Sequence, residues 1–200
     1  MTPKRRRFFI KLAVIVLLVW TGLTIWVQYS GKDFIYEFKA ETEQGSALIV
    51  FNPDPVYNLD EQVCKSFATG LQERNISSTV ATVKSAMEQI NDDFDLYVFC
   101  VNTYNWTPDW RLTNYIKEHP NLENARVIAL TVGAGATMRA QRKLEWHLSD
   151  KGADLLGSEM YWLLKPNDEN RMKERNVVVA NELALDFGKR IGQLILPDQP

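Results

Sequence analysis

Unbroken apolar runs, separated by stretches of mixed polarity, set the pattern of this chain from about residue 46 onward. Residues 47–51, 94–101 and 127–132 are almost wholly apolar and rich in β-branched and aromatic side chains. Runs of this kind are typical of strands buried on both faces, as in a parallel sheet covered by helices. Residues 76–83 and 153–164 are less regular and predict two further strands, of which 76–83 suits an outer position.

The stretches between these runs have the spacing of amphipathic helices. In the first, apolar side chains recur every four residues, at Leu59, Val63, Phe67 and Leu71. Asn58 and Glu61 predict a capping-box-like start for this helix. Four more helices are predicted, over residues 84–91, 110–119, 138–151 and 175–194. For the helix at 110–119, Thr107 is the expected N-cap and Pro108 the first helical residue. Five strands alternating with five helices predict an α/β fold with a doubly wound, five-stranded parallel sheet.

Residues 1–45 lie outside this alternation and predict a membrane anchor. Residues 8–28 are apolar except near Lys11, and they are long enough to cross a hydrocarbon core of about 30 Å. A cleaved signal peptide has similar basic and apolar parts, but this run is long and residues 21–31 contain no A-x-A-like site, which favours an uncleaved signal anchor. The basic tail at 1–7 is then cytoplasmic, and the domain at 46–200 lies outside the cytoplasm. Residues 29–45 are expected to be a tether with a helical middle.

Charge and residue types exclude several classes of function. The net charge is −2, and the five cations at Lys4, Arg5, Arg6, Arg7 and Lys11 leave −7 on residues 12–200, which argues against a nucleic-acid partner. Cys64 and Cys100 are too few for a metal cluster, and we expect buried thiols or at most one bridge. His119 and His147 fall in separate helices, and no G-x-S-x-G motif occurs. We therefore predict no catalytic residue and no metal site.

Candidate binding residues lie in the loops that follow the three apolar strands. Open α/β sheets bind their ligands at the carboxyl ends of the strands, where these loops meet. The loop after residues 94–101 is polar and aromatic and runs into a predicted helix. The loop after residues 127–132 contains Gly133 and Gly135, whose spacing is only a weak dinucleotide-binding signal and equally suits a tight turn.

The order of elements, the loop sizes and three phrases make residues 46–193 resemble the flavodoxin family of FMN-binding flavodoxins and flavodoxin-type reductases. The phrases are Ala47-Leu48-Ile49-Val50-Phe51, Thr103-Tyr104-Asn105-Trp106-Thr107-Pro108 and Thr131-Val132-Gly133-Ala134-Gly135. The resemblance implies strand order 2-1-3-4-5 and an FMN site at the ends of strands 1, 3 and 4. On this chain the implied site comprises Asn52, Asp54, Tyr57, Asn58, Thr103, Tyr104, Asn105, Trp106, Gly133, Ala134 and Gly135.

The first loop departs from the family pattern, in which Ser, Thr and Gly wrap the flavin phosphate. Here Pro53 and Pro55 remove two backbone donors, and Asp54 would face the dianion with a like charge. Asn52, Tyr57 and Asn58 still offer side-chain donors, so either a weakened phosphate site or a rigid turn without a ligand fits this loop.

The second and third loops agree better with a flavin. Tyr104 and Trp106 are suited to stacking on the flavin ring, although they would equally well cap the edge of the sheet. Residues 133–137 are small enough to let a flat ring approach closely.

Two functions follow from these features. The first is a membrane-tethered, FMN-dependent electron-transfer or oxidoreductase module that works with a redox partner protein or a quinone. The second is a flavin-free domain that binds another ligand or a protein partner at the membrane. The aromatic and glycine loops favour the first function, whereas the proline-rich loop and the location outside the cytoplasm favour the second. The sequence leaves open whether the chain is an enzyme.

Overall fold

Strands and helices alternate along the chain as predicted. The computed structural model describes residues 3–29 and 31–196. Its helices are α1 (Pro3–Tyr29), α2 (Leu59–Gln72), α3 (Val83–Ala86), α4 (Trp110–Glu118), α5 (Met138–Asp150) and α6 (Asn176–Ile195). Its strands are β1 (Ile35–Phe38), β2 (Gly45–Phe51), β3 (Ile76–Thr82), β4 (Leu96–Tyr104), β5 (Thr107–Pro108), β6 (Arg126–Gly133) and β7 (Asp154–Trp162).

The five main strands form the predicted parallel sheet. The strand order is β1-β3-β2-β4-β6-β7, in which β2, β3, β4, β6 and β7 run parallel to one another. Counted along the chain, these five strands have the order 2-1-3-4-5, so the predicted fold class and topology are confirmed. The carboxyl ends of β2, β4 and β6 therefore lie side by side, and the loops that follow them meet at one edge of the sheet, which we call the carboxyl edge.

The expectation of a helical middle for residues 29–45 is wrong. Instead, β1 pairs antiparallel with β3 and forms the outer edge of the sheet. The sequence there alternates: Phe34, Tyr36 and Phe38 fall on one face, and the Phe34 ring contacts the Phe51 ring at a centroid distance of 5.5 Å. Partial burial of Phe34 and Phe38 and pairing of the open edge of β3 favour a strand over a free tether.

Two helix starts also differ from the predictions. The N-cap of α4 is Asp109 rather than Thr107, because Thr107 and Pro108 pair with the end of β4 in a hairpin. The capping box at the start of α2 is not formed. The Asn58 side chain accepts a hydrogen bond from Gln62, and the Glu61 carboxylate binds Lys65 instead of reaching back to the helix start.

Helices cover both faces of the sheet and give it two buried layers. Helices α2 and α6 pack on one face against Ile49, Phe51 and Val98. Helices α4 and α5 pack on the other face against Val50 and Phe99. This double cover explains why the central strands read as continuous apolar runs. It also leaves the loop edges as the places where a ligand can enter.

Helix α1 is different in kind from the other helices. It has 27 residues and a mean hydropathy of 2.3 in its most apolar window, so it is long and apolar enough to cross a membrane. Its side chains are exposed along most of its length, but Gln28 near its end is buried against the domain.

Candidate functional site

A cavity of about 160 Å³ opens at the carboxyl edge, between the loops that follow β2, β4, β6 and β7. Six of the eleven predicted site residues line it: Asp54, Tyr57, Thr103, Tyr104, Gly133 and Ala134. Most of the remaining wall is apolar and comes from Leu59, Val132, Leu163 and Leu164.

The other five predicted residues lie elsewhere. Asn52 is buried below the cavity, where its side chain donates to the Gln28 carbonyl, and Asn58 is turned towards Gln62. Asn105 is at a turn tip next to α1, whereas Trp106 and Gly135 line a separate pocket.

Asp54 closes the loop after β2 on itself. Its Oδ1 accepts the backbone N–H groups of Val56 and Tyr57 at 2.7 and 2.8 Å. Its Oδ2 accepts the Tyr104 hydroxyl at 2.5 Å, which ties this loop to the end of β4. Burial and the neighbouring Asp54 raise the pKa of Tyr104, so this hydroxyl remains a donor. The backbone N–H groups of Val56 and Tyr57 thus already donate to a carboxylate of the protein itself.

A second carboxylate, Asp60, lies beneath this loop in the first turn of α2. Its Oδ2 accepts the Asp54 N–H at 2.8 Å and the Asn102 side-chain amide at 2.7 Å, and its Oδ1 accepts the Glu61 N–H at 2.8 Å. Burial raises the pKa of Asp60 to about 7 in spite of these donors, which favour the ionised form.

Asn102 joins Asp60 to a third carboxyl group, that of Asp109. The Asn102 N–H donates to Asp109 Oδ2 at 3.2 Å, and its side-chain amide also donates to the Asn52 carbonyl at 2.8 Å. Asp109 is fully buried as the N-cap of α4, where its Oδ1 accepts the Leu112 N–H. Burial raises the pKa of Asp109 to about 7.

Sequence reasoning missed Asp60, Asn102 and Asp109. One signal was present, because Asn102 is the first polar side chain after a run of buried apolar residues in β4. A buried amide of this kind needs partners, and the helix starts on either side supply them.

Gly133 has a structural role in this site. A β-carbon there would come within 3.0 Å of the Thr103 β-carbon and within 2.8 Å of a methyl group of Thr137. The end of β6 therefore needs glycine to approach these two side chains. A β-carbon at Gly135 would contact the Lys165 side chain at an ordinary 3.4 Å, so glycine is not required there.

The turn between β4 and β5 holds its two central residues in the left-handed region. Asn105 has φ 51° and Trp106 has φ 60°, as in a type I′ hairpin turn, where Asn-Gly is the preferred pair. A bulky side chain in this region costs about 1–2 kcal/mol. Trp106 is nevertheless 59% exposed, so burial of its own ring does not offset that cost.

Helix α1 ends against this same edge. The Gln28 side-chain oxygen accepts the Trp110 N–H at 2.8 Å, at the start of α4. One turn earlier in α1, Thr24 Oγ1 accepts a hydrogen bond from Asn105 Nδ2 at 3.3 Å. The end of the apolar helix is therefore fixed at the carboxyl edge and away from the opposite edge of the sheet.

The two histidines lie apart from the cavity. His119 follows the end of α4 and is buried between the Tyr97 and Tyr115 rings, and burial lowers its pKa to about 4. Burial also lowers the pKa of His147, which is within α5. Cys64 and Cys100 are free thiols in the core.

The sequence matches no family model and no curated protein, whereas the fold has many counterparts among solved structures. A WrbA-like flavodoxin from Agrobacterium tumefaciens aligns with a TM-score of 0.57 at 12% identity, over 78% of this chain and 100% of that one. Flavodoxin 2 from Bacillus cereus aligns with a TM-score of 0.53 at 17% identity, over 72% and 99%. A flavodoxin from the domain Archaea aligns with a TM-score of 0.55 at 8% identity, over 73% and 98%.

These alignments span nearly the whole of each flavodoxin and about three quarters of this chain. At such low identity the likeness concerns the fold. Together with the strand order and the position of the cavity, it identifies the chain as one with the flavodoxin-like fold.

Proposed function

We propose that this chain is a membrane-anchored, flavodoxin-like binding domain that does without FMN. In this proposal its carboxyl-edge cavity takes a small, uncharged ring such as the headgroup of a quinone. The observation that carries the proposal is the position of the Asp54 carboxylate, which accepts the loop amides of Val56 and Tyr57.

The loop after β2 does not fit the phosphate of FMN. Solved flavodoxins are similar to this chain in fold, so FMN is the first cofactor to test against the site. A phosphate at the start of α2 would need free N–H donors, but Asp54 already uses two of them and the prolines remove two more. It would also approach the carboxylates of Asp54 and Asp60. At about 5 Å and an effective dielectric of 20, each pair of unit charges repels by about 3 kcal/mol.

The volume of the cavity favours one ring over three. At about 160 Å³ it is close to the engineered cavity of about 150 Å³ that holds a benzene molecule in another protein. The Tyr104 hydroxyl is held by Asp54, which fixes this ring at the cavity wall. A three-ring flavin would have to displace the loops that form the present wall.

Thr103 supplies a polar contact in this largely apolar cavity. Its hydroxyl is buried and has no hydrogen-bond partner in the part of the chain that the structure describes. A carbonyl oxygen of a quinone would satisfy this donor, while the ring contacts Leu59, Val132 and Leu163. Quinones with isoprenoid tails reside in the bilayer, and the contacts of Thr24 and Gln28 with the carboxyl edge support access to the cavity from a membrane that α1 would span.

The chemistry of the cavity is tested by titrating duroquinone into the full chain in neutral detergent and measuring the heat of binding by calorimetry. Thr103→Val keeps the shape of the side chain and removes the hydroxyl, so we expect binding to weaken by about 0.5–1.5 kcal/mol. Thr131→Val is the matched control, because the buried Thr131 hydroxyl likewise lacks a partner among the described residues but does not line the cavity. Absence of binding to the unmodified chain, or equal losses in both variants, would refute the quinone assignment.

Membrane topology is tested separately. The dense basic cluster at the start of α1, with Lys4 and Arg7 at its ends, supports a cytoplasmic N-terminus and a domain on the opposite side. A reporter that is active only outside the cytoplasm should therefore be active when fused after residue 200. Activity of a cytoplasmic reporter at that position would show that the orientation is the reverse of the proposed one. Release of the chain from membranes by alkaline carbonate would show that α1 does not anchor it.

A further inference from the structure

We propose that a second pocket at the carboxyl edge binds the phosphate-bearing headgroup of an anionic phospholipid. This pocket has a volume of about 500 Å³ and lies between the turn tip at Trp106, the start of α5 and the end of β7. The inference rests on the membrane anchoring proposed above, but not on the ligand of the first cavity.

The pocket is cationic on an otherwise acidic domain. Arg139 and Arg142, three residues apart on α5, lie on one of its walls, and Lys165 lies on another. Among the residues that the structure describes, no carboxylate lines the pocket and none forms an ion pair with these three side chains. Because residues 12–200 carry a net charge of −7, three unpaired cations in one pocket indicate an anionic occupant.

Trp162 gives the pocket a fixed aromatic wall. Its indole N–H donates to the Thr137 hydroxyl at 2.7 Å, and Thr137 is itself buried at the start of α5. The Lys165 ammonium lies 4.4 Å from the centre of the Trp162 ring, in a cation–π contact. The position of this cation is therefore set before any ligand arrives.

The contact with α1 brings the pocket close to the membrane interface. Asn105 contacts Thr24, which lies four residues, or about 6 Å along the helix axis, before the end of the predicted span at residue 28. The headgroup region, about 5–7 Å thick, begins where that span ends. The neighbouring Trp106, which lines the pocket, is thus near the boundary between the hydrocarbon core and the headgroups, where tryptophan is enriched.

The strained backbone of Trp106 agrees with this placement. Glycine is the preferred residue at its position in the turn, and an exposed tryptophan there gains little from the domain itself. Contact with the membrane interface supplies the missing stabilisation, because an indole ring is favoured among headgroups.

The test measures lipid adducts by native mass spectrometry on the full chain in neutral detergent. Phosphatidylglycerol and phosphatidylcholine with identical acyl chains are titrated in parallel. We expect a preference for phosphatidylglycerol that falls by about a hundredfold in the triple variant Arg139→Gln, Arg142→Gln, Lys165→Gln, from roughly fivefold per cation. The matched control, Lys117→Gln, Arg126→Gln, Lys151→Gln, makes the same charge change at the opposite edge and should leave the preference intact. The unmodified chain and the two triple variants all keep the basic residues 4–7, so lipid adducts formed there are the same in all three and cancel in the comparison.

A second variant distinguishes lipid contact from packing. Trp106→Gly should raise the thermal midpoint, since it relaxes the left-handed turn, and should weaken the phosphatidylglycerol adduct severalfold. A lowered midpoint with unchanged adducts would identify Trp106 as a packing residue and overturn its proposed contact with lipid.

Two outcomes would overturn the proposal as a whole. Equal losses in the two triple variants would show that the preference follows net charge and not the pocket. Displacement of the lipid by inorganic phosphate at equal concentration would identify a site for a soluble phosphate compound. Neither outcome affects the quinone cavity, whereas release of the chain by carbonate extraction would reject the anchor and leave the lipid measurement in detergent standing.

Discussion

Replacing Asn102 with leucine is expected to lower the free energy of unfolding by about 3–5 kcal/mol. Leucine has a similar volume, so little packing is lost. The change removes the two donors of the Asn102 side chain and leaves the Asp60 carboxylate and the Asn52 carbonyl short of partners in the interior. Denaturant unfolding of the full chain in detergent, followed by tryptophan fluorescence, measures the loss. Asn114→Leu, on the exposed face of α4, is the control and should change stability by less than about 0.5 kcal/mol.

The loss in the Asn102 variant should depend on pH. Burial raises the pKa of Asp60 from 3.8 to about 7 in the folded chain, so the ionised carboxylate opposes folding above pH 7. As the pH falls from 7 towards 4, the folded chain takes up this proton first and gains stability. Because Asn102 donates to the ionised form, its removal raises the folded pKa further and should cost most at pH 8 and less at pH 5. An equal loss at both values would point to packing instead of the carboxyl group.

Exchanging the loop after β2 should strengthen the binding of FMN. The triple variant Pro53→Thr, Asp54→Gly, Pro55→Ser removes the internal carboxylate, frees the amides of Val56 and Tyr57, and adds hydroxyl donors. Each charge-assisted hydrogen bond contributes about 1.5–3 kcal/mol, so two of them raise FMN affinity by roughly two to four powers of ten. Riboflavin, which lacks the phosphate, should gain little. Quenching of flavin fluorescence measures both ligands.

The unmodified chain and a single substitution complete this test. The unmodified chain should bind FMN weakly and no better than riboflavin. Asp54→Asn removes the charge but keeps a side-chain oxygen for the loop amides. It should therefore recover only the part of the FMN affinity that charge repulsion takes away. Tight binding of FMN by the unmodified chain, with rejection of riboflavin, would show that this loop recognises phosphate in another way and would contradict the proposed function.

The candidate site was predictable in its location but not in its internal bonding. Buried strands followed by polar loops indicate the carboxyl edge of a parallel sheet, and six predicted residues do line one cavity there. The sequence also showed that Asp54 and two prolines replace phosphate-binding residues. It could not show that the Tyr104 hydroxyl, from a strand fifty residues away, donates to the other oxygen of this carboxylate and so ties the loop to the end of β4.

The sequence by itself determined the five main strands, the helices between them, and one helix long and apolar enough to span a membrane. These properties follow from local periodicity, whereas the order of the strands in the sheet was implied by the resemblance to flavodoxins. The tertiary structure alone decided that residues 35–38 form an edge strand, that Asn102 joins two buried carboxyl groups, and that α1 ends at the carboxyl edge. Each of these involves at least one hydrogen bond between residues distant in sequence, and such partners are chosen by the packed fold and not by local pattern.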